Sequence, residues 1–375
     1  MSSKKFKNKF PRRFCPVQFL TCQGLTREGL GIVKWNGKIF WIEQLLPGEK
    51  ARVVIFYQFK KHGYGRAIKL LNCSLDRALP LEHPKTKLGV YHLAHLNSPA
   101  QDRFKQSQLE SVFGTKLAPI IVGKRTYYRN KVVLSHGGFK APGRYRRQIF
   151  KPDQTSFDLM AIDFGAYPDH YPKYIIRRLE EEIAGPPGTK LATYDAFLGK
   201  KFRVTLDSFY QVNKEMATKA YKMMQSFVWA EAVVFDLYSG LATIAICLSD
   251  RVRSVYAVEV NKVCYQDAKA NLAINQVKNV TLICQDVTQW ITHTKIKPDV
   301  IVVDPPRAGL TPAVCRAINA SKARRIIYLS CQIETQKRDI DLLTNYQVVF
   351  NQAFDFFSAN LPHWKFGCFR HLLGV

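Results

Sequence analysis

Ala-Val-Val-Phe-Asp-Leu-Tyr-Ser-Gly, residues 232–240, is the stretch that decides the fold. An apolar run there ends at an acidic residue, Asp236, and a sequence typical of a turn follows. Four similar runs come later, separated by stretches with helical spacing, and this repetition predicts a parallel, doubly wound α/β sheet. The predicted strands are Ala232–Leu237, Val255–Val260, Val280–Ile283, Val300–Val303 and Arg325–Leu329.

Acidic residues stand at or just after the ends of the first four predicted strands, where such a sheet binds its ligands. They are Asp236, Glu259, Asp286 and Asp304, separated by 23, 27 and 18 residues. An acid after the second strand can accept hydrogen bonds from a ribose diol, and one after the third from an adenine amino group. Because Ala242 stands where a dinucleotide loop has its second Gly, the set favours a nucleoside-type cofactor such as S-adenosylmethionine.

Cys331 follows the fifth predicted strand in Tyr-Leu-Ser-Cys, 24 residues after the Arg of Asp304-Pro-Pro-Arg307. A single Cys after an apolar strand is more often a buried structural thiol, but this one is predicted at the same edge as the acids. Carbon 5 of uracil is a poor nucleophile, and a thiolate that adds to carbon 6 activates it. A base must then remove the carbon 5 proton. We predict Cys331 as the nucleophile, with Asp304 shaping a pocket for the flipped base.

Basic residues dominate the chain, with 56 Lys and Arg against 29 acids and a formal net charge of +27. Such an excess favours a polyanionic partner, nucleic acid ahead of an anionic membrane surface. Two stretches, near residues 57–69 and at 123–147, interleave cations with aromatic rings, which suits RNA better than a merely solvated face. The predicted RNA contacts are Lys60, Lys61, Arg66, Arg125, Arg129, Lys131, Arg144, Arg146 and Arg147.

The chain is long enough for several domains. Short strands and the turn Asn36-Gly37 predict a small closed barrel near the start, and later spacing predicts helices over Gln101–Phe113 and 172–184. The predicted segments are a basic tail (1–14), a small β-barrel (15–78), a mixed α+β central domain (79–205) and the Rossmann-like doubly wound domain (206–375).

The nine cysteines are odd in number and include no Cys-x-x-Cys pair. This argues against a disulfide framework and a zinc ribbon, and we expect a reducing, cytoplasmic location. The basic start lacks the apolar region of a secretory signal, and no apolar run reaches the length of a membrane span. Nothing in the sequence demands an oligomer, so we expect a monomer.

Several motifs together closely resemble the RNA uracil-5-methyltransferase family, which contains ribosomal-RNA and transfer-RNA enzymes. The motifs are DLYSG (236–240), AVEVN (257–261), VVDPPRAGL (302–310), YLSC (328–331) and FYQVN (209–213). Residues 29–49 resemble the TRAM barrel that many members carry. The resemblance implies formation of 5-methyluridine with S-adenosylmethionine as donor and Cys331 as nucleophile. The predicted cofactor and uracil site comprises Gln211, Asp236, Tyr238, Gly240, Glu259, Asp286 and Asp304.

The chain departs from the family pattern at three places. Residues 82–96 contain no Cys where many ribosomal-RNA members bind an iron–sulfur cluster, so we expect no cluster. The usual Ser-Cys-Asn-Pro becomes Ser-Cys-Gln-Ile at residues 330–333. Lys365 stands where the family has its general-base Glu, and a protonated Lys is a poor proton acceptor. His363, His371 or a water are the candidate replacements.

Two other functions stay open at this point. Lys365 motivates an RNA-binding protein with weak or lost catalysis, which would act as an RNA folding chaperone. A methyltransferase for another base is the second alternative. Amino-group methylation typically uses Asn/Asp-Pro-Pro-aromatic without a Cys, so Arg307 and Cys331 oppose it, whereas cytosine carbon 5 would suit the same nucleophile. The motifs identify neither the RNA nor the uridine.

Overall fold

The structure is a computed structural model that describes a large part of the chain. The described residues are 17–81, 83, 85, 91–140, 149–150, 157–160, 162–163, 166–357 and 369–374. Several predicted features lie outside them, namely the basic tail, Arg144, Arg146, Arg147, His363, Lys365 and the side chain of His371. The chain divides into two compact units, residues 1–103 with 359–365 and residues 104–358 with 366–375. The four predicted segment boundaries stay a prediction.

The first unit contains a curved sheet in the strand order β1-β5-β6-β4-β3-β2. Its strands are β1 (Gln18–Thr21), β2 (Gly24–Leu25), β3 (Gly31–Trp35), β4 (Lys38–Glu43), β5 (Lys50–Gln58) and β6 (His62–Leu70). β1 pairs with β5, and Gln23 just beyond it donates its N–H to the Ile32 carbonyl of β3 at 2.8 Å. The segment that contains β1 and Gln23 therefore pairs with strands from both ends of the strand order. The sheet curls around the side chains of Phe40, Ile42 and Val53. This confirms the predicted small barrel.

The helix predicted over Gln101–Phe113 is confirmed as α1 (Ser98–Phe113). Short sheets follow it, with strands β7 (Lys131–Leu134), β8 (Phe139–Lys140), β9 (Ile149–Phe150), β10 (Tyr174–Arg178), β11 (Glu182–Gly185), β12 (Ala192–Phe197) and β13 (Lys200–Thr205). The helix predicted over 172–184 is wrong, because β10 and β11 form an antiparallel hairpin there. Ile175, Ile176 and Arg177 are all buried, and β7 pairs with β10. Pairing with that distant strand overrides the local polar pattern that predicted a helix.

The doubly wound sheet has the order β16-β15-β14-β17-β18-β20-β19. Its strands are β14 (Val233–Leu237), β15 (Ser254–Val258), β16 (Val280–Ile283), β17 (Val300–Val303), β18 (Arg325–Tyr328), β19 (Phe350–Asp355) and β20 (Phe369–Gly374). Its helices are α2 (Lys214–Gln225), α3 (Thr243–Leu248), α4 (Lys262–Ile274), α5 (Val287–His293), α6 (Pro312–Ser321) and α7 (Ile333–Leu342).

Strands β14 to β18 are parallel, which confirms the predicted fold class. β20 runs antiparallel to β18 and β19. The strand order reverses beside β14, so the crevice where such folds bind ligands lies at the carboxyl ends of β14 and β17. Among the described helices, none combines the length and the hydropathy that a membrane crossing requires.

Candidate active site

The crevice brings together the acids that end β14 and β17. Asp304 follows β17, and its N–H donates to the Leu237 carbonyl at the end of β14 at 3.5 Å. The Gln211 side-chain amide donates to Asp304 Oδ2 at 3.2 Å. Asn130 in turn holds the Gln211 carbonyl through its own amide at 2.9 Å. The structure therefore unites two predicted residues, Gln211 and Asp304, and adds Asn130, which sequence reasoning missed because it lies far upstream.

The loop after β14 has an unusual backbone. Tyr238, Gly240 and Ala242 all have left-handed φ values, 64°, 56° and 57°. Non-glycine residues rarely adopt this conformation, and alternation of this kind turns successive N–H groups to one side. The Gly240 N–H donates to Glu259 Oε2 at 2.8 Å, and a Cβ on Gly240 would meet open space. The loop therefore presents backbone donors beside an open volume.

Backbone N–H groups orient both carboxylate oxygens of Glu259. Besides Gly240, the Asn261 N–H donates to Glu259 Oε1 at 2.6 Å. Asn261 also begins α4 as its cap, accepting from Val263 and Cys264. Each carboxylate oxygen has a second lone pair, so a fixed Glu259 can still accept from a vicinal diol.

Asp236 is enclosed in the sheet edge. Its Oδ2 accepts from the Ala245 N–H at 3.0 Å, whereas its Oδ1 has no hydrogen-bond partner within the described part of the chain. Burial raises the pKa of Asp236 to about 8, the charges of Asp304 and Glu259 add to the rise, and the bond from Ala245 opposes it. Three carboxylates in one crevice favour a ligand that carries positive charge.

Cys331 lies half-buried between β18 and α7. The neighbouring Ser330 hydroxyl accepts from the Gln332 N–H at 3.0 Å and donates to the Gln332 carbonyl at 2.9 Å, which closes a tight turn around Cys331. Gln332 caps α7, and its side-chain amide donates to Glu334. The positive end of a helix stabilises nearby negative charge, and the thiolate is the nucleophilic form of Cys.

One buried carboxylate braces the loops that carry Asp304 and Cys331. Asp339 Oδ2 accepts from the Tyr328 hydroxyl at 2.7 Å and from the Leu310 N–H at 2.7 Å. Gly309 makes room for it, because a Cβ there would lie 2.4 Å from that oxygen. Sequence reasoning missed Asp339, although the Gly of VVDPPRAGL marks the close approach.

Comparison with known proteins identifies the family of the chain. A model of the tRNA (Uracil-5-)-methyltransferase family matches residues 199–371. An uncharacterized RNA methyltransferase of Mycoplasma mobile is 32% identical over 342 residues, which cover 88% of this chain and 92% of the relative. The chain belongs to the RNA (uracil-5-)-methyltransferase family. This confirms the resemblance seen in the sequence motifs.

Similarity at lower identity extends to further proteins. An uncharacterized RNA methyltransferase of Streptococcus agalactiae is 27% identical, over 89% of this chain and 94% of the relative. A further similarity is to the crystal structure of Pyrococcus abyssi tRNA (uracil-54, C5)-methyltransferase in complex with S-adenosyl-L-homocysteine. Its TM-score is 0.74 at 21% identity, over 95% of this chain and 98% of that one. At this identity the likeness shows the shared fold.

The crevice of this uracil-5-methyltransferase family member fits S-adenosylmethionine. Asp236 Oδ1 and the Ser239 hydroxyl are buried polar atoms that lack a protein partner among the described residues. Such atoms suit the polar amino-acid end of the cofactor. The oriented Glu259 suits its ribose, and the surplus of carboxylates suits its cationic groups. Asp286 caps α5 through the Gln289 N–H at 3.1 Å and remains partly available for an adenine amino group.

The cations predicted to contact RNA are placed differently in the two units. In the barrel, Lys60 and Lys61 are exposed and Arg66 is half-buried. In the second unit, Arg125, Arg129 and Lys131 are all half-buried. The Arg129 guanidinium lies over the Phe357 ring, 5.5 Å from its centroid. The Lys131 ammonium donates to the carbonyls of Asp207 at 3.3 Å and Ser208 at 3.2 Å.

The raised pKa of Asp236 leads to a testable effect on stability. Folded protein keeps this proton up to about pH 8, whereas the ordinary pKa of an Asp carboxyl is 3.8. Between these values the folded state binds more protons, so Asp236 costs stability as the pH rises. We expect Asp236→Asn to gain unfolding free energy over wild type, by at most about 1.4 kcal/mol per pH unit.

Urea denaturation of the ligand-free protein across this pH range would measure the difference. Asp250→Asn is the control, because the Asp250 side chain is 69% exposed. It should follow the wild-type pH dependence. A stability difference for Asp236→Asn that stays constant with pH would contradict the assignment.

Proposed function

We propose that this chain forms 5-methyluridine in ribosomal or transfer RNA, with S-adenosylmethionine as donor and Cys331 as covalent nucleophile. The observation that carries the proposal is the pair of hydrogen bonds that Asp339 accepts. They connect the loop after Asp304 to the strand before Cys331, beside the crevice that fits the cofactor. Family membership indicates the class of reaction. The position of Cys331 on the strand that Asp339 connects to the Asp304 loop is the basis for proposing a covalent mechanism.

The donor side is built from the strand-end acids. When bound, S-adenosylmethionine supplies an electrophilic methyl group on a sulfonium sulfur. Glu259 accepts from the ribose hydroxyls, held in place by Gly240 and Asn261. Asp236 and Ser239 bind the amino-acid end, and Asp286 accepts from the adenine amino group. The negative charge of Glu259 and Asp286 favours a cationic donor over its neutral product.

The nucleophile side is built from Cys331, Asp304 and Gln211. The Cys331 thiolate forms a bond to carbon 6, and the electrons of the carbon 5–carbon 6 double bond shift to make carbon 5 nucleophilic. Gln211 and Asp304 orient the flipped base. After carbon 5 has gained its methyl group, a base takes the carbon 5 proton, the double bond re-forms and the carbon 6–sulfur bond breaks. His363, His371 and a water are the candidates for the base that replaces the family's usual Glu.

One experiment tests the proposed reaction. The protein is incubated with unmodified RNA and labelled S-adenosylmethionine, and the digested nucleosides are identified. We expect label in 5-methyluridine. Label in 5-methylcytidine would assign the enzyme to cytosine. RNA binding without any labelled nucleoside would overturn the proposal in favour of a chaperone without catalysis.

We propose a second contact with RNA on the outer face of the barrel. The His62 ring lies between Trp41 and Phe59, with centroid distances of 4.9 and 4.8 Å. Tyr64 meets Trp41 edge-on at 4.9 Å. Phe59 is 44% exposed and Tyr64 37% exposed. This aromatic row, flanked by Lys60 and Lys61, suits an unpaired base that stacks while phosphates meet the ammonium groups.

Phe59→Ala should weaken binding of single-stranded RNA by roughly 5- to 160-fold, because a base–aromatic stack contributes about 1–3 kcal/mol. Fluorescence anisotropy at fixed salt would measure the change. Ile68→Ala is the matched control, since Ile68 is 43% exposed on β6 but has no ring. Equal losses in both variants would argue against stacking on the aromatic row.

A further inference from the structure

We infer that a buried polar cluster around Ser208 positions Gln211 against Asp304. The cluster consists of Lys131, Arg177, Thr205, Ser208 and Asp267, and we call it the Ser208 cluster. None of these residues is among those proposed to bind S-adenosylmethionine, to orient the uracil or to remove its carbon 5 proton, so they are positioning residues. The inference rests on the proposed function for its catalytic consequence, while its structural consequence can be measured separately.

Two cations hold the Ser208 carbonyl. Arg177 donates to it from Nη2, and Lys131 donates to it from Nζ at 3.2 Å. Arg177 is fully buried, and its Nε and Nη1 lack a hydrogen-bond partner within the described residues. Such a buried guanidinium is costly. Burial lowers the pKa of Lys131 to about 8 and that of Arg177 to about 10, which reflects the same cost.

The Ser208 hydroxyl is held from the opposite direction. It donates to Asp267 Oδ2 at 2.7 Å, and the Thr205 hydroxyl donates to the same oxygen at 2.7 Å. Asp267 is buried on α4, the helix that follows Glu259. Its other oxygen pairs with Arg203 of β13. The cluster therefore connects the helix behind the ribose-binding acid to the segment before Gln211.

The geometry of the segment follows from these contacts. Ser208 is fixed by its carbonyl and its hydroxyl, and three residues later Asn130 fixes the Gln211 carbonyl at 2.9 Å. With both ends held, the Gln211 amide meets Asp304 at 3.2 Å. An apolar side chain of similar volume would serve stability at lower cost than the fully buried guanidinium of Arg177. The presence of two cations on the Ser208 carbonyl is explained by the need to place Gln211.

The test compares Arg177→Met with Arg178→Met. Arg178 is the next residue of β10, and its side chain is 42% exposed. We expect Arg177→Met to lower kcat by on the order of 10-fold or more, since small displacements of catalytic groups have large effects on rate. KM for S-adenosylmethionine should change less than about 2-fold, because no donor contact is removed. Arg177→Lys should recover part of kcat, and Arg178→Met should match wild type.

Hydrogen exchange provides a readout that needs no activity. Amides of residues 207–213 should exchange faster in Arg177→Met than in Arg178→Met, with the rest of the folded chain unchanged. A folded Arg177→Met protein with wild-type kcat and wild-type exchange at 207–213 would overturn the inference. If Arg177→Met does not fold, Ser208→Ala carries the same expectations. Failure of the proposed function would appear instead as a wild-type protein that makes no 5-methyluridine.

Discussion

Replacing Cys331 by Ala should lower the rate of 5-methyluridine formation by at least about 10³-fold, because without the thiolate carbon 5 is not activated. Quantification of the methylated nucleoside under single-turnover conditions would measure the loss. Cys284→Ala is the matched control, since Cys284 is an exposed thiol just beyond β16 on the same sheet. Cys284→Ala should keep wild-type activity. Full activity in Cys331→Ala would eliminate the covalent mechanism.

RNA that contains 5-fluorouridine makes the adduct itself visible. Fluorine replaces the carbon 5 proton and cannot leave as a cation, so the carbon 6–sulfur bond does not break after methylation. Wild-type protein should therefore form an RNA-linked species that survives denaturation and maps to Cys331, and Cys331→Ala should form none. With ordinary RNA, accumulation of the same link would show that proton removal is slow in a chain with Lys365 at the position of the family Glu.

Glu259→Ala should weaken S-adenosylmethionine binding by at least roughly 10²-fold. Two hydrogen bonds to a charged group contribute about 1.5–3 kcal/mol each, and both would be lost. The variant also removes the acceptor of the Gly240 and Asn261 N–H groups, so the loop loses its orientation as well. Isothermal titration calorimetry with S-adenosylmethionine would measure the change.

Glu231→Ala is the control for this experiment. Glu231 is exposed and precedes β14, away from the crevice at the strand ends. Its removal should leave the Kd for S-adenosylmethionine unchanged. RNA affinity should be unchanged in both variants. An unaltered Kd for the donor in Glu259→Ala would show that Glu259 does not bind the ribose.

Part of the fold was predictable because its signals are local. Val280–Ile283 and Val300–Val303 were predicted with the bounds that the structure has, because each is a short run rich in β-branched residues between stretches with helical spacing. Of the two, only Val300–Val303 is buried along its whole length. The hairpin at 172–184 was not predicted, because its pairing with β7 depends on contacts that local periodicity does not reveal. An isolated window of Tyr174–Glu182 contains polar residues at helical spacing, and only β7 makes it extended.

The sequence by itself determined the doubly wound sheet and the placement of Asp236, Glu259 and Asp304 at one edge, because parallel strands bring every following loop to the same end. Their order along that edge, Glu259, Asp236 and Asp304, came only from the strand order of the folded sheet. Only the tertiary structure decided what each side chain meets there. Lys131, a predicted RNA contact, donates to the Ser208 carbonyl, and Asp236 is enclosed with one oxygen unpaired among the described residues. Burial and hydrogen-bond partners come from residues distant in the chain, so local sequence cannot contain them.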